Sequence, residues 1–349
     1  MAMERASTVV AVNETLHLNN TLQAGKNFSS GMRALGKYIH GKNLLYGIYE
    51  SSGTKTCQKF AGTLGNEWID AQTFAAWEVD YVKYDDCYHE QYTEPTRYPG
   101  DMPPILRYPL MGQALNRTGR KMNYMCNFPW QLWGMHGNAA MGGAWTSEFC
   151  NSWRTCGDPG PGFASSVGYV DCWEKWADAI PSGPGGFATL DAMEVGNGGM
   201  TTAQQQAVFS LYGLIKTPLY IGADVTTLTG TTLEVYLNKD IIAWNQDALG
   251  KPGRQIRKNG DSRGELWGGQ LSGGNGAAVL LNRGAKVANV SLTWAEIGVK
   301  ESAATVTDAW SGKVTKVSCL PRTECRGAGV TALVAPHSAV ALTVRPIIH

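Results

Sequence analysis

Two acidic residues, each close to a basic residue, stand out in this sequence. Asp85 follows Lys83 in the run Tyr-Val-Lys-Tyr-Asp-Asp-Cys at positions 81–87. Asp158 follows Arg154 in the run Ser-Trp-Arg-Thr-Cys-Gly-Asp at positions 152–158. Cleavage of a glycosidic bond needs two carboxyl groups, one ionised and one able to hold a proton, and a nearby cation favours the ionised form. The two runs therefore contain residue types that fit this chemistry.

The first run is typical of a β-strand that ends in an acid. Because strand side chains alternate between faces, Lys83 and Asp85 are predicted to point the same way. Active sites of parallel barrels lie at the C-terminal ends of the strands, which makes Asp85 a candidate nucleophile. Asp86 is predicted to point to the other face, as a solvated or loop-capping residue.

The second run leads into a loop rich in glycine and proline, at 157–162. An aspartate in such a loop often binds its own backbone, so Asp158 is either a turn residue or a chemical group. Arg154 has two interpretations as well: a fork that binds a sugar hydroxyl or a carboxylate, or one side of an interdomain ion pair.

The composition is that of a soluble enzyme. The chain has 349 residues, 43% of them hydrophobic, and a formal net charge of +1 without a block of like charge. This balance argues against nucleic acid and anionic membrane surfaces as partners, and favours neutral molecules. A run of about 18 apolar residues is absent, so no membrane-spanning helix is expected.

The eight cysteines favour disulfides over free thiols. They form no C-x-x-C pair, and no H-x-x-x-H accompanies them, so zinc is not expected. Five glycosylation sequons, which begin at Asn13, Asn19, Asn27, Asn116 and Asn289, also indicate the secretory pathway. Residues 1–7 lack the apolar segment of a signal peptide.

Short apolar runs alternate with helical stretches between about residues 30 and 250, the pattern of parallel βαβ units. Strands are predicted at 44–49, 81–84, 122–126, 148–153, 186–190 and 219–221. Helices are predicted at 70–78, with Asp70 as N-cap, and at 202–214, with Thr202 and Gln205 at capping-box spacing.

Beyond residue 250 the pattern becomes glycine-punctuated β-structure, with strands predicted at 265–268, 277–281, 287–293 and 339–344. Gly273-Gly274-Asn275-Gly276 is interpreted as a hairpin turn, because a phosphate loop would need G-x-G-x-x-G spacing and a following helix. The predicted organisation is an atypical N-terminal segment at 1–27, a β/α domain at 28–252 and an antiparallel β-domain at 253–349.

Four runs in the right order resemble the melibiase family of α-galactosidases, in its plant-type form, over about residues 28–349. They are Lys-Tyr-Asp-Asp-Cys at 83–87, Ser-Trp-Arg-Thr-Cys-Gly-Asp at 152–158, Met-Glu-Val-Gly-Asn-Gly-Gly-Met-Thr at 193–201 and Ile-Ala-Trp-Asn-Gln-Asp-Ala-Leu-Gly-Lys at 242–251. The resemblance implies a (β/α)8 TIM barrel followed by an antiparallel β-sandwich. It implies no metal and no organic cofactor.

The resemblance also assigns roles to residues. Asp85 would be the nucleophile of a retaining glycosidase and Asp158 its acid/base, with the two carboxyl groups about 5 to 5.5 Å apart. The implied substrate-binding residues are Lys83, Arg154, Asn127, Trp130 and Asp191. The family's disulfides fall on Cys57 with Cys87 and on Cys126 with Cys150, while proximity in sequence favours Cys156 with Cys172 and Cys319 with Cys325.

The sequence departs from the family pattern in its substrate-binding part. Residues 1–27 contain no counterpart of the family's first two barrel strands, which carry M-G-W-N-S-W and D-D-C-W, and residues 8–12 are the candidate for filling part of that gap. Asn127 stands where many relatives have glutamate, and Asp191 is one survivor of two acids. Loss of two binding carboxylates predicts a roughly 10² to 10⁴-fold lower kcat/KM.

The sequence is therefore compatible with three functions. The first is hydrolysis of terminal α-galactosides, on oligosaccharides or glycoconjugates. The second is a weak or inactive sugar-binding relative. The third is a related retaining glycosidase that acts on α-N-acetylgalactosaminides or β-L-arabinopyranosides. The expected location is extracellular, cell wall, vacuole or lysosome, and the oligomeric state, including a homodimer, is left open.

Overall fold

The structure is a computed structural model that describes residues 15–18, 21–89, 104–129, 143–258, 264–317 and 328–347. Its contacts divide the chain into two units. Unit 1 ends at Thr155, and unit 2 begins at Cys156 and contains the rest of the chain. Each unit is described by itself.

Unit 1 contains a parallel β-sheet with the strand order β3-β4-β5-β6. A short antiparallel hairpin of β1 and β2 precedes it. The strands are β1 (Thr15–Leu18), β2 (Thr21–Ala24), β3 (Gly47–Ser51), β4 (Tyr81–Asp85), β5 (Asn123–Pro129) and β6 (Ser152–Arg154). The helices are α1 (Met32–His40), α2 (Glu67–Ala76), α3 (Pro104–Arg117) and α4 (Gly143–Phe149).

The alternation of strands and helices in unit 1 confirms the predicted βαβ pattern, with two local corrections. The strand predicted at 148–153 is wrong in its first half, because Glu148 and Phe149 end α4 and β6 begins only at Ser152. Asp70 is not an N-cap. It lies inside α2, fully buried, and Asn66 precedes the helix instead.

Unit 2 begins with α5 (Phe163–Trp176), the short strand β7 (Phe187–Thr189), α6 (Thr202–Leu214), α7 (Gly230–Tyr236) and α8 (Lys239–Asn245). The predicted helix at 202–214 is confirmed, but its capping box is one residue earlier: Thr201 accepts from the backbone of Gln204, whose side chain accepts from the backbone of Thr201. The strand predicted at 219–221 is wrong, because only an isolated bridge joins Ile221 to Met193.

The rest of unit 2 is antiparallel, as predicted. One sheet has the order β13-β12-β15-β10-β9-β8, and β11 pairs with β14 in a second. Burial alternates strictly along β11, so its apolar residues face a core that includes Leu280, Leu292 and Trp294. The strands are β8 (Arg254–Lys258), β9 (Glu265–Gln270), β10 (Gly276–Asn282), β11 (Ala288–Thr293), β12 (Ala304–Asp308), β13 (Val314–Val317), β14 (Gly329–Val334) and β15 (Ser338–Pro346).

The predicted hairpin turn between β9 and β10 is present. Gly273 and Gly274 there have φ of 69° and 75°, the left-handed region that favours glycine. The two strands pair antiparallel from Gly276 opposite Gln270.

An ion network within unit 2 joins helix α5 to strands of the antiparallel sheet. Arg283, next to β10, donates to both carboxylate oxygens of Asp171 at 2.8 and 2.7 Å and to Glu265 at 2.8 Å. Arg254 of β8 pairs with Glu174 at 2.8 Å and with Asp178 at 2.7 Å. Lys258 of β8 also pairs with Asp171, at 3.2 Å. Acids in α5 or just after it are therefore paired with cations in or next to the β-strands, and we call this cluster the α5 network.

Three disulfides join Cys57 to Cys87, Cys126 to Cys150 and Cys156 to Cys172. The first two are the pairs that the family resemblance implies, and the third is a pair that proximity in sequence favours. Cys319 and Cys325 lie outside the described residues. Within the described ranges, none of the helices is both long and apolar enough to cross a membrane.

Candidate active site

Asp85 is the last residue of β4, at the C-terminal end of the parallel sheet of unit 1. In the register of the sheet it lies opposite Ser51 of β3, and Lys83 lies opposite Tyr49. Strand β5 flanks β4 on its other side. The carboxylate is therefore surrounded by the ends of two neighbouring strands, where parallel barrels place their chemistry.

Three donors converge on the Asp85 carboxylate. The Tyr49 hydroxyl donates to Oδ2 at 2.5 Å. Oδ1 accepts from Nδ2 of Asn127 and, at 2.8 Å, from the backbone N–H of Asp86. Hydrogen bonds to a charged acceptor are short and orienting, so the direction of this carboxylate is set from both sides.

Tyr49 is a site residue that the sequence motifs did not predict. Burial, followed by the charge of Asp85, raises the pKa of Tyr49 far above its ordinary value, so the hydroxyl keeps its proton and acts as a donor. The Lys83 Nζ lies 5.7 Å from the centre of its ring. Strand pairing could have identified Tyr49. It lies opposite Lys83 in the sheet, so its side chain is on the same face of the sheet as those of Lys83 and Asp85.

Asn127 is a predicted substrate-binding residue that lies directly against the candidate nucleophile. It is 4% exposed, and its Oδ1 has no hydrogen-bond partner among the described residues. An amide oxygen turned toward a carboxylate would be repelled, so the Nδ2 group faces Asp85 and the oxygen is left as an acceptor. Trp130, predicted beside it, lies outside the described residues.

Asp86 differs from its prediction as a solvated residue. Its side chain is 3% exposed and forms an ion pair with Arg107 of α3 at 2.5 Å. It also accepts from Ser52 at 3.1 Å. Strand alternation turns Asp86 away from Asp85, as predicted, but the other face is packed against a helix rather than open to water.

The other predicted site residues are divided between the units. Arg154 ends β6 in unit 1 and is 1% exposed. Asp158 lies in unit 2 and is exposed, in a loop that the disulfide of Cys156 joins to α5. The Tyr169 hydroxyl of α5 fixes the same loop by donating to the Cys156 carbonyl at 2.8 Å. Asp191 follows β7 with φ of 61°.

Among the residues that the structure describes, one group of metal-ligand types lies at this site. Donor atoms of Cys57, Asp85 and Cys87 lie within 4.8 Å of one another. Both sulfur atoms belong to a disulfide, so they lack the thiolate charge that binds a metal ion.

Comparison with known proteins connects both units to one family. Residues 11–247 match the family described as alpha galactosidase A, and residues 261–344 match the alpha galactosidase C-terminal beta sandwich domain. Alpha-galactosidase 2 of Arabidopsis thaliana is 38% identical over 314 residues, which cover 89% of this chain and 72% of that protein. The chain spans 61 to 73% of the length of three such plant relatives.

Solved structures give the same result. Alpha-galactosidase I from Mortierella vinacea superposes with a TM-score of 0.78 at 30% identity, over 97% of this chain and 87% of that one. The alpha-galactosidase of Saccharomyces cerevisiae, solved with raffinose, has a TM-score of 0.76 at 25% identity, over 97% and 88%. The predicted fold class, a barrel followed by an antiparallel β-sandwich, is confirmed. The chain belongs to the α-galactosidase family of glycoside hydrolases.

Proposed function

We propose that this chain hydrolyses terminal, non-reducing α-D-galactosides with retention of configuration, and that Asp85 is the nucleophile. The observation that carries the proposal is the Asp85 carboxylate itself, held at a strand end by Tyr49 on one oxygen and Asn127 on the other. A nucleophile fixed in direction meets the anomeric carbon without first losing conformational freedom.

The reaction has two displacements. Asp85 attacks C1 while Asp158 gives its proton to the departing glycosidic oxygen, which leaves a galactosyl ester on Asp85. Asp158 then takes a proton from water, the water oxygen attacks C1, and the bond to Asp85 breaks. Lys83, Arg154 and Asp191 contact the sugar hydroxyls in this proposal.

The proposed substrates are oligosaccharides or glycoconjugates that end in α-galactose. The family supports this class, and a yeast relative was solved with raffinose. We further propose that the chain works in the secretory pathway, outside the cell, in the cell wall or in a vacuole or lysosome. Its three disulfides and the exposure of Asn27, Asn116 and Asn289 support that location.

The test uses p-nitrophenyl α-D-galactopyranoside with the parent chain and with Asp85→Gly. We expect Asp85→Gly to lose at least about 10⁴-fold in kcat, as is typical when a covalent catalyst is removed. Added azide fits the space of the lost carboxylate and attacks C1 from the same side, so β-galactosyl azide is the expected product. Asp158→Gly with azide is expected to give the α-azide, because there the azide attacks the galactosyl ester.

Asp178→Asn is the matched control, since its side chain is 90% exposed and lies in a surface ion pair. A parent chain without hydrolysis of any α-galactoside contradicts the proposed function. Equal rates for the parent and Asp85→Gly remove Asp85 from the mechanism. Rates measured with α-galactoside, α-N-acetylgalactosaminide and β-L-arabinopyranoside substrates show which of these sugars the site near Asn127 accepts.

A further inference from the structure

Asp86 and Arg107 form a buried ion pair directly behind the candidate nucleophile. Arg107, from α3, is 1% exposed, and its guanidinium donates to Asp86 at 2.5 Å and to the hydroxyl of Ser52. The Ser52 hydroxyl in turn donates to Asp86 at 3.1 Å. Charges are rarely buried in this way without a partner, and this pair has its partners within one small network.

The network reaches Asp85 through the backbone. The N–H of Asp86 donates to Oδ1 of Asp85 at 2.8 Å. The N–H of Ser52 donates to the carbonyl of Asp85 at 2.8 Å. Both N–H groups belong to residues whose side chains the Arg107 network holds, so a shift of that network moves the donors that orient Asp85.

We propose that the Arg107–Asp86 ion pair is a positioning device for the nucleophile. Neither residue touches the substrate. The pair fixes the peptide between Asp85 and Asp86, and its paired charges leave the carboxylate of Asp85 without a net neighbouring charge from this side. The inference depends on the proposed function, in which Asp85 attacks C1.

The experiment compares Arg107→Met and Asp86→Asn in the purified full chain. We expect kcat to fall about 100-fold in Arg107→Met, the loss that a misplacement of about 1 Å causes, with KM within threefold of the parent value. Asp86→Asn keeps the shape and the hydrogen bonds, so about a tenfold loss of kcat is expected.

The pH profile of kcat/KM separates positioning from general damage. Arg107→Met removes the buried cation from Asp86, which keeps Ser52 and His89 as neighbours, so the acidic limb of the kcat/KM profile is expected to move to higher pH. Asp86→Asn leaves the Arg107 cation unpaired, and the limb is expected to move to lower pH. Both variants retain the other titratable groups that the described residues place around this pair and Asp85. These groups are Tyr49 and Glu50 of β3, Lys83 and Tyr84 of β4, Tyr108 of α3, Tyr124 of β5 and His89.

Two further variants keep the test decisive. Arg107→Lys retains the cation, so its acidic limb should coincide with that of the parent while kcat recovers in part. The double variant Asp86→Asn/Arg107→Met removes both charges, so the acidic limb of its kcat/KM profile should return to the position of the parent. This variant also tests the proposal if Arg107→Met alone does not fold.

Acidic limbs that move in the same direction in the two single variants would overturn the proposal. So would folded single variants with kcat within threefold of the parent. An inactive parent chain overturns the proposed function and with it this role, whereas an active parent with unchanged variants overturns the positioning role alone.

Discussion

Asp85 receives its hydrogen bonds from three separate segments of unit 1, and each donor can be removed on its own. Tyr49 comes from β3, Asn127 from β5 and the backbone N–H from the residue after β4. The tyrosine is the simplest to test, because phenylalanine removes only its hydroxyl.

Tyr49→Phe is expected to lower kcat/KM about 10- to 100-fold. A hydrogen bond to a charged group contributes about 1.5 to 3 kcal/mol, and each 1.4 kcal/mol is about tenfold in rate. Steady-state assay of an aryl α-galactoside measures the loss.

Tyr46→Phe is the matched control for this change. Tyr46 is fully buried directly before β3, and its hydroxyl has no hydrogen-bond partner among the described residues. Its removal should leave kcat/KM unchanged. Equal losses in the two variants would show that the effect comes from packing and not from the bond to Asp85.

The acids were easier to predict from sequence than their partners were. Asp85 follows from a local pattern, a strand that ends in a carboxylate after an inward-facing lysine. Tyr49 and Arg107 contact the Asp85–Asp86 segment from 36 and 21 residues away in sequence. Local periodicity carries no information about such pairing, which depends on strand register and on the helix packed behind the sheet.

Among the elements, Lys216 connects the ends of two helices. It follows α6 with φ of 56° and is 4% exposed, and its Nζ donates to the carbonyl of Trp244 in α8. Burial lowers the pKa of Lys216 to about 8, and the charge of Asp247 opposes that shift in part. The ordinary value in the unfolded chain is 10.5.

This pKa difference predicts a stability that rises with pH. Between about pH 8 and 10.5 the unfolded chain holds a proton on Lys216 that the folded chain has lost, so the free energy of unfolding increases with pH over that window. Below pH 8 both states hold the proton and the dependence disappears. The test is urea unfolding of the parent and of Lys216→Met at pH 7, 8, 9 and 10. The free energy of unfolding of the parent, relative to that of Lys216→Met, should increase only above pH 8.

Lys216→Arg serves as the control that cannot lose its proton in this range. The difference in free energy of unfolding between Lys216→Arg and Lys216→Met should be independent of pH. If the free energy of unfolding of the parent, relative to that of Lys216→Met, stays constant or falls between pH 8 and 10, the buried amine is not the titrating group.

Element type was predictable, whereas element ends were not. The capping box of α6 is one residue earlier than predicted because Thr201 and Thr202 both have a capping side chain, and only the backbone at Thr201 is extended. The start of the strand at 148–153 was wrong because Phe149 and Cys150 are apolar residues that fit either a strand or the end of a helix, and Glu148 and Phe149 end α4.

At the scale of the whole molecule, the α5 network connects a helix of unit 2 to its antiparallel part through charged side chains. Arg283→Met would leave Glu265, 6% exposed, and Asp171 without their shared cation. Arg283 and Asp171 are only partly buried, and Lys258 still pairs with Asp171, so the expected cost is that of lost hydrogen bonds to charged groups, about 1.5 to 3 kcal/mol. Denaturant unfolding followed by tryptophan fluorescence should report a free energy lower by about that amount.

Asp178→Ala provides the comparison for Arg283→Met. It removes an ion pair whose acid is almost fully exposed, and water and salt screen such pairs. No change in the unfolding transition is expected. An Arg283→Met chain that unfolds like the parent would mean that the network adds nothing to stability.

For protein engineering, the α5 network means that the antiparallel part of unit 2 supplies permanent counterions to a helix that precedes it by some 80 to 110 residues. A shortened chain cut at the proposed boundary after residue 252 would strip Asp171 and Glu174 of Arg254, Lys258 and Arg283 in one step. Both carboxylates would then face water and help to keep the fragment in solution, so a redesign of such a fragment should keep these two acids and replace only its newly exposed apolar residues.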